Sequence, residues 1–226
     1  MKKYEPIIII DNKKFRRIPI KTRILSPDDN IIDLIKEYVA PLYQPGDIVA
    51  LSESPVAITQ GRAIPVSQLK IGWLAKFMWR FVAKVPYGVG LRAPESMQCA
   101  IDEAGGLRII IAAGIGAITK VFGIKGMFYR VAGMQAALID AATTSPVPPY
   151  DKCVIKGPKN PQKVTEDIKK ATNIDTVIMD INDIGGSWAI GASKKVDKKL
   201  VQKIMKDNPQ GQGDELTPFC IIRKEY

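Results

Sequence analysis

The chain of 226 residues contains no histidine. That absence removes Ser-His-Asp and Cys-His nucleophile systems, imidazole acid–base chemistry and His-ligated zinc. Any catalysis must rest on carboxylates, lysine or arginine, backbone dipoles, or a metal held by oxygen. Cysteine is scarce too: Cys99, Cys153 and Cys220 are an odd number, far apart and without a CxxC pair. That is the pattern of reduced thiols in a cytosolic protein, not of a disulfide framework. No apolar run approaches membrane-spanning length, so no transmembrane segment is expected. The opening MKKYEPIIII has only four apolar residues in a row before Asp11, too few for a signal peptide. The expected location is therefore cytoplasmic. GxxxxGK[ST] occurs nowhere, which excludes a P-loop. Gly114-Ile115-Gly116 starts like a dinucleotide fingerprint but lacks the third glycine and the acidic residue that a Rossmann site needs.

Apolar content of 46% and charged content of 25% are those of a soluble globular protein. The length suits one domain, 1–226, or two small ones sharing a core. The proline-rich connector 143–150 is the best candidate for a subdomain boundary. A formal charge of +10 permits an anionic ligand, nucleic acid or an acidic membrane surface. The lysines are scattered, however, as on solvated helix faces, and no basic stripe is interleaved with aromatics as nucleic-acid binding would require.

Along the chain, Ile7–Ile10 and Phe15–Thr22 read as a hairpin. Ser26 is positioned to cap a helix with Pro27 in its first turn. Ile48–Leu51 reads as a strand ending in Ser52-Glu53-Ser54. Ser67 opens a long basic, aromatic-rich helical pattern. Glu95–Ala104 is a helix stopped by glycines, and Leu107–Ala113, apolar but for Arg108, is a strand candidate. Cys153–Lys156 is a strand, Asn160-Pro161 opens a helix to Thr172, and Trp188–Ala192 returns as a strand. Asp197 caps a helix. Residues 207–218 form a polar, glycine-rich loop with the look of a ligand lid, before a last strand from Phe219.

The most suggestive stretch is Asp175 to Ser187. Thr176–Met179 is apolar and rich in β-branched residues, the mark of a buried strand. Straight after it come Asp180, Asn182 and Asp183, then Gly185 and Gly186. Oxygen ligands at a strand end suit hard cations such as Mg²⁺ or Mn²⁺. An Asx-rich turn has the same composition.

Taken together, these pieces resemble the coenzyme F-420 γ-glutamyl ligase family, whose members use GTP to join L-glutamate to the phosphate-linked tail of a deazaflavin coenzyme. Ile18-Pro19-Ile20, then Gly46-Asp47-Ile48-Val49 leading into Ser52 and Gln60-Gly61-Arg62, look like the family's N-terminal block. Gly133 through Ile139-Asp140 looks like its metal-binding segment, and Asp180 to Asp183 sits where the family has a metal-binding strand end. The resemblance implies an α+β fold of two interleaved subdomains with mixed sheets, a homodimer, and a GTP- and Mg²⁺- or Mn²⁺-dependent amide ligase. Its partners would be the nucleotide, glutamate and a phosphate-bearing coenzyme precursor. Asp140, Asp180, Asn182 and Asp183 would hold the metal; Ser52 and the backbone of Ile18, Pro19 and Ile20 would hold the nucleotide. The family's nucleotide-contacting lysine aligns with Ile58. A compensating cation is then needed, with Arg62 the first candidate and Lys120, Lys125 and Arg130 the next. Loss of that lysine also fits the alternative of a non-catalytic nucleotide, metal or phosphate-ligand binder of the same fold.

Overall fold

The computed structural model describes residues 4–82, 90–124, 126–182 and 186–225. Ile7–Ile10 (β1) and Lys13–Ile20 (β2) form the expected hairpin with a tighter turn. Ile10 pairs with Lys13, leaving Asp11 and Asn12 in the loop at φ 50° and 61°. Two positive-φ Asx residues give the primed turn whose twist matches the strands. Ser26 does not cap a helix. Asp29 accepts from the Ser26 N–H at 2.7 Å and from Arg23, which folds 26–29 into a turn. The helix Ile31–Leu34 (α1) is capped by Asn30, which accepts from the Ile32 N–H at 2.8 Å, and it continues through a wider turn, Ile35–Val39. Ile48–Ser52 (β3) runs straight into Glu53–Ile58 (α2), and Ala63–Pro65 (β4) follows.

The pattern opened by Ser67 is broken into a tight turn, Val66–Gln68, a short helix, Trp73–Met78 (α3), and another tight turn, Trp79–Phe81. Gly72 stands at the start of α3, where its N–H is held by Gln98 at 2.8 Å, and glycine weakens any helix that would run through it. Pro94–Ala104 (α4) ends at Gly105, φ 85°, as expected. Leu107–Ala113 is helix, not strand. It belongs to Gly106–Val121 (α5), and a largely apolar pattern sustained over 16 residues exceeds any ordinary strand. Met127–Ala132 (α6), Met134–Ala137 (α7), Cys153–Ile155 (β5) and Pro161–Thr172 (α8) come next. Asp175–Ile181 (β6) extends beyond the apolar run, so Asp180 lies within the strand rather than after it. Ser187–Ala192 (β7), Lys198–Ile204 (α9) and Phe219–Glu225 (β8) complete the chain. Asp197 caps α9 as expected, accepting from the Lys199 and Leu200 N–H groups.

These elements make an α+β fold of two compact units, one interrupted in sequence by the other. The first comprises 1–61 and 158–226, the second 62–157. The connector 143–150 lies inside the second.

The first unit is built on a six-stranded mixed sheet in the order β1-β2-β8-β3-β6-β7. Only the β3–β6 pair is parallel. On one face, Ala50, Val177, Met179 and Cys220 pack against Val201, Ile204 and Met205 of the α9 segment. Helix α8 lies against β6 and β7. Its approach is so close that a Cβ on Gly191 would sit 2.5 Å from the Pro161 backbone. With elements on both faces, the central strands read as continuous apolar runs rather than alternating ones.

In the second unit, Met97, Cys99, Ile109, Ala112, Ala136 and Val154 form the core of a helical cluster. The β4–β5 pair lies beside it, and the Asp140 backbone bridges Ile155 on the β5 edge. No single helix among the described residues is long and apolar enough to cross a membrane.

Arg17 is the unexpected member of the first unit. Its side chain is fully buried, and its guanidinium forks onto Asp207, with Nη2 to Oδ2 at 2.9 Å, while Nη1 also donates to the Ile204 carbonyl at 2.9 Å. It fixes the exit of α9 and the start of the 207–218 loop to β2. Asp207→Ala should lower the unfolding free energy by about 2 kcal/mol or more, since it strands a buried cation while removing a partly exposed carboxylate. Urea unfolding measures this, and a loss below about 0.5 kcal/mol, the scale of an ordinary surface pair, would contradict it.

Candidate functional site

Strand register gathers one set of residues at one end of the first unit's sheet. In the parallel pair, Ser52 of β3 stands opposite Met179 of β6. One step further along each strand are Glu53 and Asp180. Strand β8 runs antiparallel to both of its neighbours, so its first residue, Phe219, pairs with Leu51 on one side and Ile20 on the other. Ile181 pairs with Ser187, closing the far side. The ends of β2, β3 and β6 and the starts of β8 and β7 therefore share this edge. Of the residues singled out in the sequence, Ile18, Pro19, Ile20, Ser52, Asp180 and Asn182 all belong to it or to the last turn of strand leading to it.

The loop 207–218 serves the same edge. The Ser52 N–H donates to the Pro218 carbonyl at 2.9 Å, and the Thr22 N–H to the Leu216 carbonyl at 2.8 Å. Gln210 is buried and donates to the Pro218 carbonyl at 2.8 Å, and Gln212 to the Ile181 carbonyl at 3.0 Å. The loop is thus pinned at both ends, leaving its exposed tip at 212–214.

Asn182 has a structural task. Its side-chain oxygen accepts from the Gly186 N–H at 2.8 Å, and its own N–H donates to the Gly186 carbonyl at 3.0 Å. Any Cβ at Gly186 would press on that amide at 2.4 Å, so the glycine and the asparagine form one turn. Asp183 lies outside the described residues. Among the described residues no three Cys, Asp or Glu side chains cluster as a metal cage. With the Asn182 oxygen committed to Gly186, the remaining side-chain donors at the strand ends are nonetheless all oxygens: the carboxylates of Asp180 and Glu53 and the hydroxyl of Ser52. That chemistry fits a hard cation. Glu53, which sequence reasoning passed over as one letter of a polar loop, is buried with only 7% exposure. Its position directly after a strand was the available signal.

The remaining sequence candidates belong to the second unit. Asp140 pairs through its backbone with Ile155 in both directions, at 2.9 and 3.1 Å. Arg62 is buried and fully engaged within that unit: Nε donates to the Gly157 carbonyl at 2.5 Å, and Nη2 reaches Gln135 Oε1 at 3.0 Å and Glu103 Oε2 at 2.9 Å. Lys156 completes the cluster, 3.2 Å from Glu103. Burial alone would raise the Glu103 carboxyl, but the hydrogen bond and charge of Arg62, and then those of Lys156, outweigh it and hold the pKa below the ordinary glutamate value. Lys120 and Arg130 are exposed, and Lys125 is outside the described residues. In the first unit, Ile58, at the lysine position, is a core side chain of α2. The cysteines are buried and reduced, and burial pushes the Cys99 thiol up to about 11 and Cys220 to about 12, so none is a nucleophile at neutral pH. A shallow groove elsewhere in the first unit is lined by Asp29, Asn30, Thr59, Gln60 and Asp167. Its two carboxylates make it a poor seat for phosphate.

With this geometry in hand, the comparison with known families is decisive at the family level. The sequence model of the F420-0:Gamma-glutamyl ligase family matches residues 19–194. The chain belongs to that family. The match begins within β2, takes in Ser52, Asp180 and all of the second unit, and stops short of β8. The chain is also 29% identical over 182 residues to the uncharacterized protein MJ1361 of Methanocaldococcus jannaschii, an alignment that covers 73% of this chain and 56% of that protein. The chain therefore matches little more than half the length of that relative.

The Arg62 cluster yields a direct test. Arg62→Ala should lower the unfolding free energy by about 3 kcal/mol or more, because it leaves Glu103, the buried Gly157 carbonyl and the half-buried Gln135 amide without their shared donor. Glu103→Gln should cost less and change the pH profile. A carboxyl depressed in the folded state contributes its full stability above the ordinary glutamate value, about 4.3, and loses it as pH falls through the depressed value. The variant should therefore show a flatter stability loss in that acid window. Urea unfolding from pH 7 to pH 3 measures both, and a wild-type-like Arg62→Ala would instead return Arg62 to the chemistry.

Proposed function

We propose that the chain is an amide ligase of the γ-glutamyl type, using GTP and Mg²⁺ or Mn²⁺ to join glutamate to a phosphate-bearing acceptor. One observation supports this reading: Ile18 to Ile20, Ser52 and Asp180, to which the resemblance gives nucleotide and metal roles, come from separate stretches of chain and share one sheet edge, while Asp140, the other metal candidate, belongs to the second unit.

A ligase of this kind activates a carboxylate as an acyl phosphate, which an amine then captures. The chain's own part is mainly positioning, which can supply a large share of the rate. The Ser52 hydroxyl, from the strand end, would donate to a phosphate oxygen. The carbonyls closing β2 orient the base or ribose. Asp180, with Asp183 nearby in sequence, would hold the cation, and the cation when bound neutralises phosphate charge. The pinned 207–218 loop shields the edge from water, which would otherwise hydrolyse the acyl phosphate. No imidazole is needed, consistent with a chain that has none.

A second reading has its own observation. Ile58, which the resemblance aligns with a nucleotide-contacting lysine, is a buried core side chain, and Arg62 is committed to Glu103, Gln135 and Gly157. A site short of cations suits a binder of the same nucleotide–metal pair without turnover. Homodimer formation and a cytoplasmic location are part of the proposal in either form.

GDP release with glutamate and phosphate-bearing acceptors separates the readings. The ligase requires acceptor-dependent release in the wild type, lowered by about 10²-fold or more in Asp180→Asn, the scale of losing one transition-state charge contact. Nucleotide-induced thermal stabilisation without acceptor-dependent turnover would select the binder. Neither stabilisation nor turnover would reject both.

A further inference from the structure

The second unit carries an apolar surface that the strand-end edge does not use. Helix α5 turns Ile109 and Ala112 into the core. On its opposite side Leu107, Ile111, Gly114, Ile118 and Val121 recur at spacings of four and three residues, and all are exposed. Leu107 is 72%, Ile118 62% and Val121 83% exposed. An ordinary surface helix places charge there; a helix apolar on both faces has something against each. The strip runs on into Phe122 and Ile124, both exposed. At the other end it adjoins α3, since a Cβ on Gly106 would meet Leu74 at 3.0 Å. From α3 and the turn after it project Trp73, Phe77 and Phe81, all more than half exposed, the last two with ring centroids 5.0 Å apart. So contiguous an apolar patch marks an interaction surface.

The charges around it select the partner. Lys70, Lys76, Arg80 and Lys120 are exposed among these residues. The sequence has no Asp or Glu between Glu53 and Glu95, and none between Glu103 and Asp140. A second copy of the chain docked face to face would bring these cations against one another, with the exposed Asp102, which accepts from Gln98 beside Gly72, as the acidic group at that end of the patch. An anionic bilayer surface answers both features, taking apolar side chains at the acyl boundary and lysine and arginine at the headgroups. No single helix among the described residues is long and apolar enough to span, and α4 and α5 turn by 112° at their junction, so the apolar face of α5 is a surface strip and not a span.

We infer that this face of the second unit docks on an anionic lipid surface, with α5 and the Trp73–Phe81 segment in the interface plane. Sedimentation of the full chain with vesicles tests it. The wild type should sediment with vesicles containing phosphatidylglycerol and not with phosphatidylcholine alone, and the bound fraction should fall as salt is raised. Ile118→Glu/Val121→Glu and Lys76→Glu/Arg80→Glu should each weaken binding by about tenfold or more, with circular dichroism unchanged. In Trp79→Phe/Trp188→Phe, which leaves Trp73 as the reporter, emission should shift to the blue on the anionic vesicles. Absence of wild-type binding to anionic vesicles at low salt would overturn the inference. So would wild-type binding by both surface variants, or a dimer that Ile118→Glu dissociates while vesicle binding stays the same.

Discussion

The parallel pairing of β3 with β6 is the constraint on which the rest of the molecule depends. Antiparallel neighbours can be joined by a two-residue turn, but parallel strands need a crossover. Here the crossover is the whole of 53–174, long enough to hold the second unit as well as α8. The same register puts Ser52 opposite Met179, and so brings Glu53 and Asp180 to one place although they are far apart in sequence. Insertion of β8, antiparallel to both β2 and β3, then adds the end of β2 to that edge. Ligands in sheets with parallel strands commonly sit beyond carboxyl strand ends, and the residues proposed here for nucleotide and metal, Ser52 and Asp180, stand at such ends.

Buried arginines secure each unit separately, and by the same device. Arg17 in the first unit and Arg62 in the second each combine a carboxylate with backbone carbonyls. A buried guanidinium is tolerable only when its donors are met in this way. The consequences differ. Arg17 holds the start of the loop that flanks the strand-end edge, so it acts on the site at a distance. Arg62 draws Glu103, Gln135 and Gly157 together, and that role explains why a cation beside the family's N-terminal block is kept inside the fold.

Local signals were readable in the sequence; long-range pairings were not. The strands β3, β5, β7 and β8, the cap at Asp197 and the helix after Asn160 follow from patterns spanning a few residues. Leu107–Ala113 is helix although the run alone predicts a strand, because a short, largely apolar run has no period to separate the two, and only its continuation to Val121 decides. Helix α1 starts at Asn30 and not at Ser26 although both are good caps, because the Arg23–Asp29 contact folds 26–29 into a turn. Arg62 shows the limit most clearly: the sequence displays its charge but not its three partners, each far along the chain. The positions of Ser52 and Asp180 were legible as strand ends; that they are adjacent strand ends is a matter of register, which no local pattern encodes.

Hydrogen exchange with and without GTP and Mn²⁺ tests most directly whether that edge is the ligand site. The account predicts slower exchange in peptides covering the end of β2, residues 49–54, residues 178–182 and the 207–218 loop, with 23–45 and α5 unchanged. Protection confined to other regions, such as the groove between α1 and α8, with the strand-end peptides unaffected, would contradict it.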